Sequence, residues 1–289
     1  MKKVTYLENT NFTVPAMPKR RQDSHKGDFG RLLCVCGGVG MAGAAYLCAK
    51  AAYRCGAGLV EILTDEANRT ILQALIPEAI VTAYDSSAVD IDMVTSSVNR
   101  ADAIVMGCGL GKGEAAQKIL ECVLRKRNAP TLLDADALNI IAERNDLLLL
   151  MKGTIITPHL MEMSRLTKNP ISEIAADVPT CAEDFAKENG TVCVLKCHNT
   201  AVADGSDRIY INRFGNSGMA TGGSGDVLAG IIGGILAQNK RGELSNFEAA
   251  VLGVYLHSKA GDVAAESLGE YSLMASDIID SLPKAIIKL

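Results

Sequence analysis

The chain has 289 residues, 48% of them hydrophobic and 21% charged, and its 29 Lys and Arg against 33 Asp and Glu leave a net charge of −4. That apolar fraction and small net charge exclude global disorder, and the length suffices for a sizeable core. The acidic balance, with seven Tyr, five Phe and no Trp, argues against a nucleic-acid binder working through a basic patch or base stacking.

Residues 1–24 read as a polar N-terminal arm, with the basic residues from Lys19 to Lys26 expected in solvent and no apolar stretch resembling a secretory signal. From residue 31 strand-like and helix-like segments alternate. Strands are predicted over 31–36, 59–63, 103–107, 131–134 and 154–157, and helices over 43–55, 66–76, 114–127 and 136–143. Short continuous apolar runs separated by helical patterns mark a parallel sheet covered on both faces. The pattern changes at residue 192. Strands over 192–196, 200–204 and 208–212, joined by tight turns at 198–199 and 205–207, predict an antiparallel edge. Helices over 225–238, 246–265 and 274–282 complete the chain. With no linker or repeat, residues 25–289 read as a single α/β domain. No run approaches the roughly 18 apolar residues of a membrane span, so no membrane partner is expected.

The nine cysteines lie mostly in apolar runs and form no CxxC. Cys34-Val35-Cys36 sets two thiols on one strand face, a poor match to zinc-ligand spacing. They read as reduced, buried cysteines of a cytoplasmic protein.

Three glycine clusters, at 37–43, 107–113 and 215–225, hold four, four and five of the 27 glycines. In open α/β sheets ligands bind beyond the carboxyl ends of the strands, and the first two clusters follow predicted strands there. Each is either a ligand contact or a tight turn. The first carries G-x-G-x-x-G at Gly38, Gly40 and Gly43, but Glu61 lies mid-strand and no acid ends the next strand as a dinucleotide fold requires. The third, Gly215 to Asp226, runs directly into the apolar helix VLAGIIGGILA. Its glycines at 222, 223 and 225 free backbone N–H groups at a helix N-terminus, a setting for a phosphate whose charge grows during transfer. Asp226 is placed to take a proton from an attacking hydroxyl, the alternative being a simple helix N-terminal acid. The Walker pattern is absent. Gly230, Gly233 and Gly234 inside the helix read as close-packing positions.

The string NSGMATGGSGDVLAG (216–230) resembles the anion-hole motif of the ribokinase-like superfamily, and more specifically that of the ADP- or ATP-dependent NAD(P)H-hydrate dehydratases. HKGDFGRLLCVCGGVGMAGAAYL (25–47), DADALN (134–139), TPHLMEM (157–163) and VLKCHNTAVADG (194–205) resemble that family's other motifs, in order, over nearly the whole chain. The resemblance implies a three-layer α/β/α sandwich and a repair reaction: phosphorylation of the C6 hydroxyl of hydrated NADH or NADPH by ADP or ATP, with Mg²⁺, then loss of phosphate. It implies Asp226 as base with Gly223, Ser224 and Gly225 holding the transferred group. Ala44, Ala45, Gly109, His159 and Asp226 would contact the hydrated dinucleotide, and Lys196, Cys197, His198, Asn199, Thr200 and Gly225 the nucleotide. Glu162 would reach the metal through water, and Asp134 and Asp136 are further indirect candidates, Asp136 being equally a helix N-cap. A separate epimerase and a homo-oligomer, often a tetramer, are the implied partners. Two departures stand out. Leu160-Met161 lie where the family commonly has Pro-Gly, with a changed loop as the expectation, and Cys197 where it commonly has Gly, with a tightened turn. Competing readings are a kinase of a small hydroxyl compound, such as a thiazole or pyrimidine alcohol, and a non-catalytic nucleotide-binding protein.

Overall fold

Leu32, Leu33, Cys34 and Val35 are all fully buried, as a strand flanked by helices on both faces requires. This stretch is an interior strand of a ten-stranded sheet in a computed structural model that describes residues 5–8 and 12–289. The strands are β1 (Thr5–Leu7), β2 (Arg31–Val35), β3 (Leu59–Asp65), β4 (Ile80–Tyr84), β5 (Ala103–Met106), β6 (Thr131–Leu133), β7 (Ile155–Ile156), β8 (Val192–Leu195), β9 (Ala201–Ala203) and β10 (Arg208–Ile211). Their order is β1-β10-β9-β8-β7-β6-β5-β2-β3-β4. Among the described strands only β9 runs against its neighbours, which is the predicted antiparallel edge. Residues 205–207 make that edge turn back, with Gly205 and Asp207 both at positive φ.

The helices are α1 (Ala42–Arg54), α2 (Arg69–Leu75), α3 (Ile91–Arg100), α4 (Glu114–Lys126), α5 (Ala135–Glu143), α6 (Asn145–Leu148), α7 (Leu160–Thr167), α8 (Ile171–Ala176), α9 (Val178–Asn189), α10 (Ser224–Gln238), α11 (Asn246–Leu268) and α12 (Ala275–Ile287). One core lies between the sheet and α1, α10, α11 and α12, the other between the sheet and α3, α4, α5 and α9. The result is the expected three-layer sandwich. Helix α10 threads between α1 and the sheet. A Cβ on Gly230 would lie 2.1 Å from the Cys48 carbonyl oxygen, and one on Gly233 would lie 2.4 Å from Val105 Cγ2. The mid-helix glycines therefore set the packing distance, which outweighs their roughly 1 kcal/mol helix penalty.

The basic residues Lys19, Arg20, Arg21 and Lys26 are exposed, as expected, while the segment before them runs along the sheet edge. β1 pairs parallel with β10, the Phe12 ring sits 6.1 Å from that of Tyr210, and the Arg20 guanidinium stacks 3.6 Å over Phe29. β4, α3 and α7 to α9 add to the predicted elements, and α12 continues through Pro283 where the prediction ended at residue 282.

Candidate active site

The chain leaves β2 toward β3 on one side and returns to β5 on the other, so a crevice opens beyond their carboxyl ends. The first two glycine clusters meet there. The Gly37 N–H donates to the Cys108 carbonyl (3.0 Å) and the Gly38 N–H to the Gly109 carbonyl (2.6 Å). A Cβ on Gly38 would lie 2.8 Å from the Leu110 carbonyl oxygen, and one on Gly109 would lie 2.8 Å from Ala44 Cβ. Much of this glycine content thus serves the packing of one turn on the other. Gly109 and Ala44 come together at the crevice, while Ala45 is fully buried and offers no side-chain surface to it.

The third cluster differs. Among the described residues, the N–H groups of Gly222, Gly223, Gly225 and Asp226 have no acceptor. They project at the start of α10, where the helix dipole adds partial positive charge. Gly223 is at φ 90°, and a Cβ there would meet Leu47 Cδ1 at 2.4 Å, so only glycine fits. Around Gly222 there is open space, and a Cβ on Gly225 would come 3.5 Å from Lys196 Nζ.

Asp226, in the first turn of α10, faces residues at the ends of β5 and β6. Its carboxylate, that of Asp134 and the Cys108 thiol each bring one atom within 4.8 Å of the others. Asp134 is buried and its Oδ1 accepts from Lys196 Nζ at 2.8 Å. Burial first, and then the Asp134 charge, push Asp226 up to about 6, against the lowering influence of Cys108 and Lys196. Burial opposes the Lys196 charge, but Asp134 and Glu162 outweigh it and raise its pKa. Asp136 does not cap α5 with its side chain. It accepts the Gly111 N–H at 2.8 Å and so braces the second glycine turn.

His159 and Glu162 form a reciprocal cap on α7. His159 Nδ1 accepts the Met161 and Glu162 N–H groups at 3.1 and 3.2 Å, and Glu162 Oε2 accepts the His159 N–H at 2.9 Å. With Nδ1 accepting, the ring proton sits on Nε2, 3.3 Å from Glu162 Oε1. Leu160 and Met161 are the first two residues of that helix, so the departure there falls in its first turn and keeps the His–Glu spacing. The Cys197 turn is closed by Thr200, whose hydroxyl donates to the Cys197 carbonyl at 3.0 Å. Cys197 has no positive φ, so the turn needs no glycine.

Between these elements lies a cleft of about 790 Å³. Of the residues singled out in the sequence, Lys196, Cys197, His198, Thr200, Gly225 and His159 line it, whereas Asn199 does not. The opposite wall comprises Asn212, Phe214, Asn216, His257 and Ser258, which sequence reasoning did not single out as contacts. Asn216 was legible inside the motif string. His257 had no spacing signal, since it reaches the cleft from α11. Burial lowers its pKa to about 4, so it is neutral, and its Nε2 lies 3.2 Å from the Ser224 hydroxyl. For Mg²⁺, a hard cation that keeps several waters, the fitting donor is a buried carboxylate with lone pairs to share. Glu162 meets that description: it is buried, and its oxygens accept only from His159.

A family model described as NAD(P)H-hydrate dehydratase matches residues 32–284. The bifunctional NAD(P)H-hydrate repair enzyme of Escherichia coli is 40% identical over 92% of this chain, which spans only 49% of that relative. The ADP-dependent (S)-NAD(P)H-hydrate dehydratase of Neisseria meningitidis is 41% identical over 90% of this chain and 86% of its own length. The ADP/ATP-dependent NAD(P)H-hydrate dehydratase of Bacillus subtilis, co-crystallized with ATP/Mg²⁺, superposes with a TM-score of 0.79 at 28% identity, covering 94% of each chain.

Proposed function

The chain belongs to the NAD(P)H-hydrate dehydratase family, and on that premise we propose that it repairs hydrated NADH and NADPH with ADP as phosphoryl donor. The single observation that carries this reading is Asp226, a carboxylate poised at about 6 beside backbone N–H groups that have no other partner.

Asp226 takes the proton of the C6 hydroxyl while that oxygen attacks the terminal phosphorus of ADP. The new C–O–P linkage forms as the bridging P–O bond breaks, and AMP leaves. The N–H groups of Gly222, Gly223, Gly225 and Asp226 hold the transferred group as its charge builds. Phosphate is a far better leaving group than hydroxide. Its departure from C6, with loss of a proton from the neighbouring ring carbon, restores the double bond and gives NAD(P)H. The residues at 196–200 and the wall at Asn212 and His257 take the nucleotide, while Gly109, Ala44 and His159 orient the hydrated ring. Lys196, held by Asp134, brings positive charge to the transfer point. Glu162 would hold Mg²⁺, which when bound would supply charge neutralisation on the nucleotide phosphates.

The dehydration is assigned to residues 25–289. The cell compartment is the cytoplasm, and the assembly is a homo-oligomer, a tetramer by family resemblance. The nine free cysteines support a reducing compartment, and among the described residues no helix is long and apolar enough to cross a membrane.

Incubation with hydrated NADH, Mg²⁺ and ADP should restore the near-ultraviolet absorbance of the reduced nicotinamide and release one phosphate per turnover. No restoration with either ADP or ATP sinks the reading. A stable phosphorylated product without reduced cofactor would mark a kinase.

A further inference from the structure

Behind Asp226 lies a group of thiols that the proposed reaction does not use. Cys36 ends the β2 stretch, Cys48 is on α1 and Cys108 is in the turn after β5, so three separate elements converge there. All three are fully buried, and their sulfurs lie within 4.8 Å of one another. A fourth thiol, Cys34, approaches Cys48 at 3.8 Å.

We infer that Cys36, Cys48 and Cys108 form a binding site for one thiophilic d¹⁰ cation of the Zn²⁺ and Cu⁺ class, and that filling it shuts down the adjacent phosphoryl-transfer site. The geometry is close to that of a metal–thiolate centre. A Zn–S distance of about 2.3 Å places the sulfurs of a three-thiolate site about 4 Å apart, so each sulfur needs to move by less than about 1 Å. The donor softness selects against Mg²⁺, which takes oxygen ligands, so the cation needed for turnover does not compete. Without the ion the thiols are inert. Hydrogen bonding among them, and then burial, push Cys48 and Cys108 well above the ordinary thiol range.

The link to the active site is Cys108, whose sulfur shares one cluster with the Asp134 and Asp226 carboxylates. Binding a divalent ion replaces three S–H protons, which leave to solvent, and three thiolates on that ion carry one net negative charge. A neutral neighbour of the transfer site becomes an anionic one. It opposes the negative charge that the phosphoryl group must accumulate, and it draws the Cys108 sulfur away from Asp134.

The test is a titration of reduced, anaerobic protein with Cd²⁺ in excess Mg²⁺, following the thiolate-to-metal charge-transfer absorbance. The expected result is saturation at one ion per chain, with the band abolished in both Cys48→Ala and Cys36→Ala. Cys181→Ser, which removes a partly exposed thiol away from the cluster, should leave the band intact. No band at stoichiometric Cd²⁺, or a band that survives in both cluster variants, overturns the site. The inhibitory half rests on the proposed dehydration and is read separately. One equivalent of Cd²⁺ should reduce turnover at least tenfold in the unaltered protein and by less than twofold in Cys48→Ala. Equal inhibition of the two proteins places the effect elsewhere and overturns that half.

Discussion

As the base of the proposed reaction, Asp226 has to be buried enough to work in a dry site and yet charged enough to take a proton. Its pKa of about 6 lies above the ordinary 3.8, so the folded state binds the proton more tightly than the unfolded chain does. Its effect on stability is therefore favourable at low pH and is lost as pH rises through about 6. Asp226→Asn should stabilise the protein by about 1–2 kcal/mol above pH ~6 and by almost nothing below pH ~4. The same variant should lose about 10³-fold or more in kcat with nucleotide affinity retained, as calorimetry and steady-state kinetics would show. In the unaltered enzyme kcat/KM should fall as pH drops through about 6. Lys196→Met moves that limb to higher pH, because it removes the cation that favours the Asp226 charge. It also strands the buried Asp134 carboxylate, at a cost of about 3 kcal/mol in denaturant unfolding. An unshifted acid limb in that variant would detach Asp226 from the titration.

At the level of elements, the turn before α10 separates glycines that shape the backbone from a glycine that leaves room. Gly223→Ala meets Leu47 and forces an L-residue into φ 90°, so it should destabilise by about 2 kcal/mol or more. A Cβ on Gly222 meets nothing, so Gly222→Ala should leave the melting temperature within a degree or two, about 0.5 kcal/mol. A rise in KM for ADP with that stability unchanged would show that the space belongs to the ligand. The third cluster stood out in the sequence by its apolar helix and Asp226, but which of its glycines shapes the backbone and which leaves room was not legible there. Residues 37–43 and 107–113 are close in space only because β2 and β5 are neighbours, and the Gly37 and Gly38 N–H groups are taken up by carbonyls of the second turn. Central strands were legible because burial on both faces writes an unbroken apolar run. β4 was not, since Ile80 to Ala83 stay partly exposed beside the edge. In α3 the apolar positions are interrupted by Thr95, Ser96 and Ser97, the last of these donating to the buried Glu61 carboxylate at 2.7 Å. Helix α12 passes Pro283 because Leu282 and Ala285 pack into the core on either side of it. His257 and Asn212 reach the cleft only through tertiary placement.

Across the whole molecule, the side of the cleft proposed to take the nucleotide is built near one edge of the sheet. Asn212 and Phe214 directly follow β10, and only β9 and the three-residue β1 flank that strand. What steadies the edge comes from both directions. The Asn212 amide donates to the Ser258 hydroxyl at 2.9 Å and to the Phe214 carbonyl at 2.8 Å, tying the strand end to α11. From outside, Phe12 packs on Tyr210, and the Arg213 guanidinium meets Glu8 at 2.8 Å. The ion pair is partly exposed and contributes little, while the ring contact removes apolar surface from water. Phe12→Ala should therefore lower stability by about 1–2 kcal/mol, less than a fully buried Phe because Phe12 is only half-buried. Its kinetic effect should be unequal. Asp226 and the free N–H groups belong to α10, which is anchored between α1 and the sheet centre, so kcat at saturating ADP should hardly change. The KM for ADP should rise several-fold as the Asn212–Phe214 wall loosens. A melting curve together with the separate kcat and KM values decides the matter. Lost stability with unchanged KM would confine the N-terminal strand to holding the sheet edge.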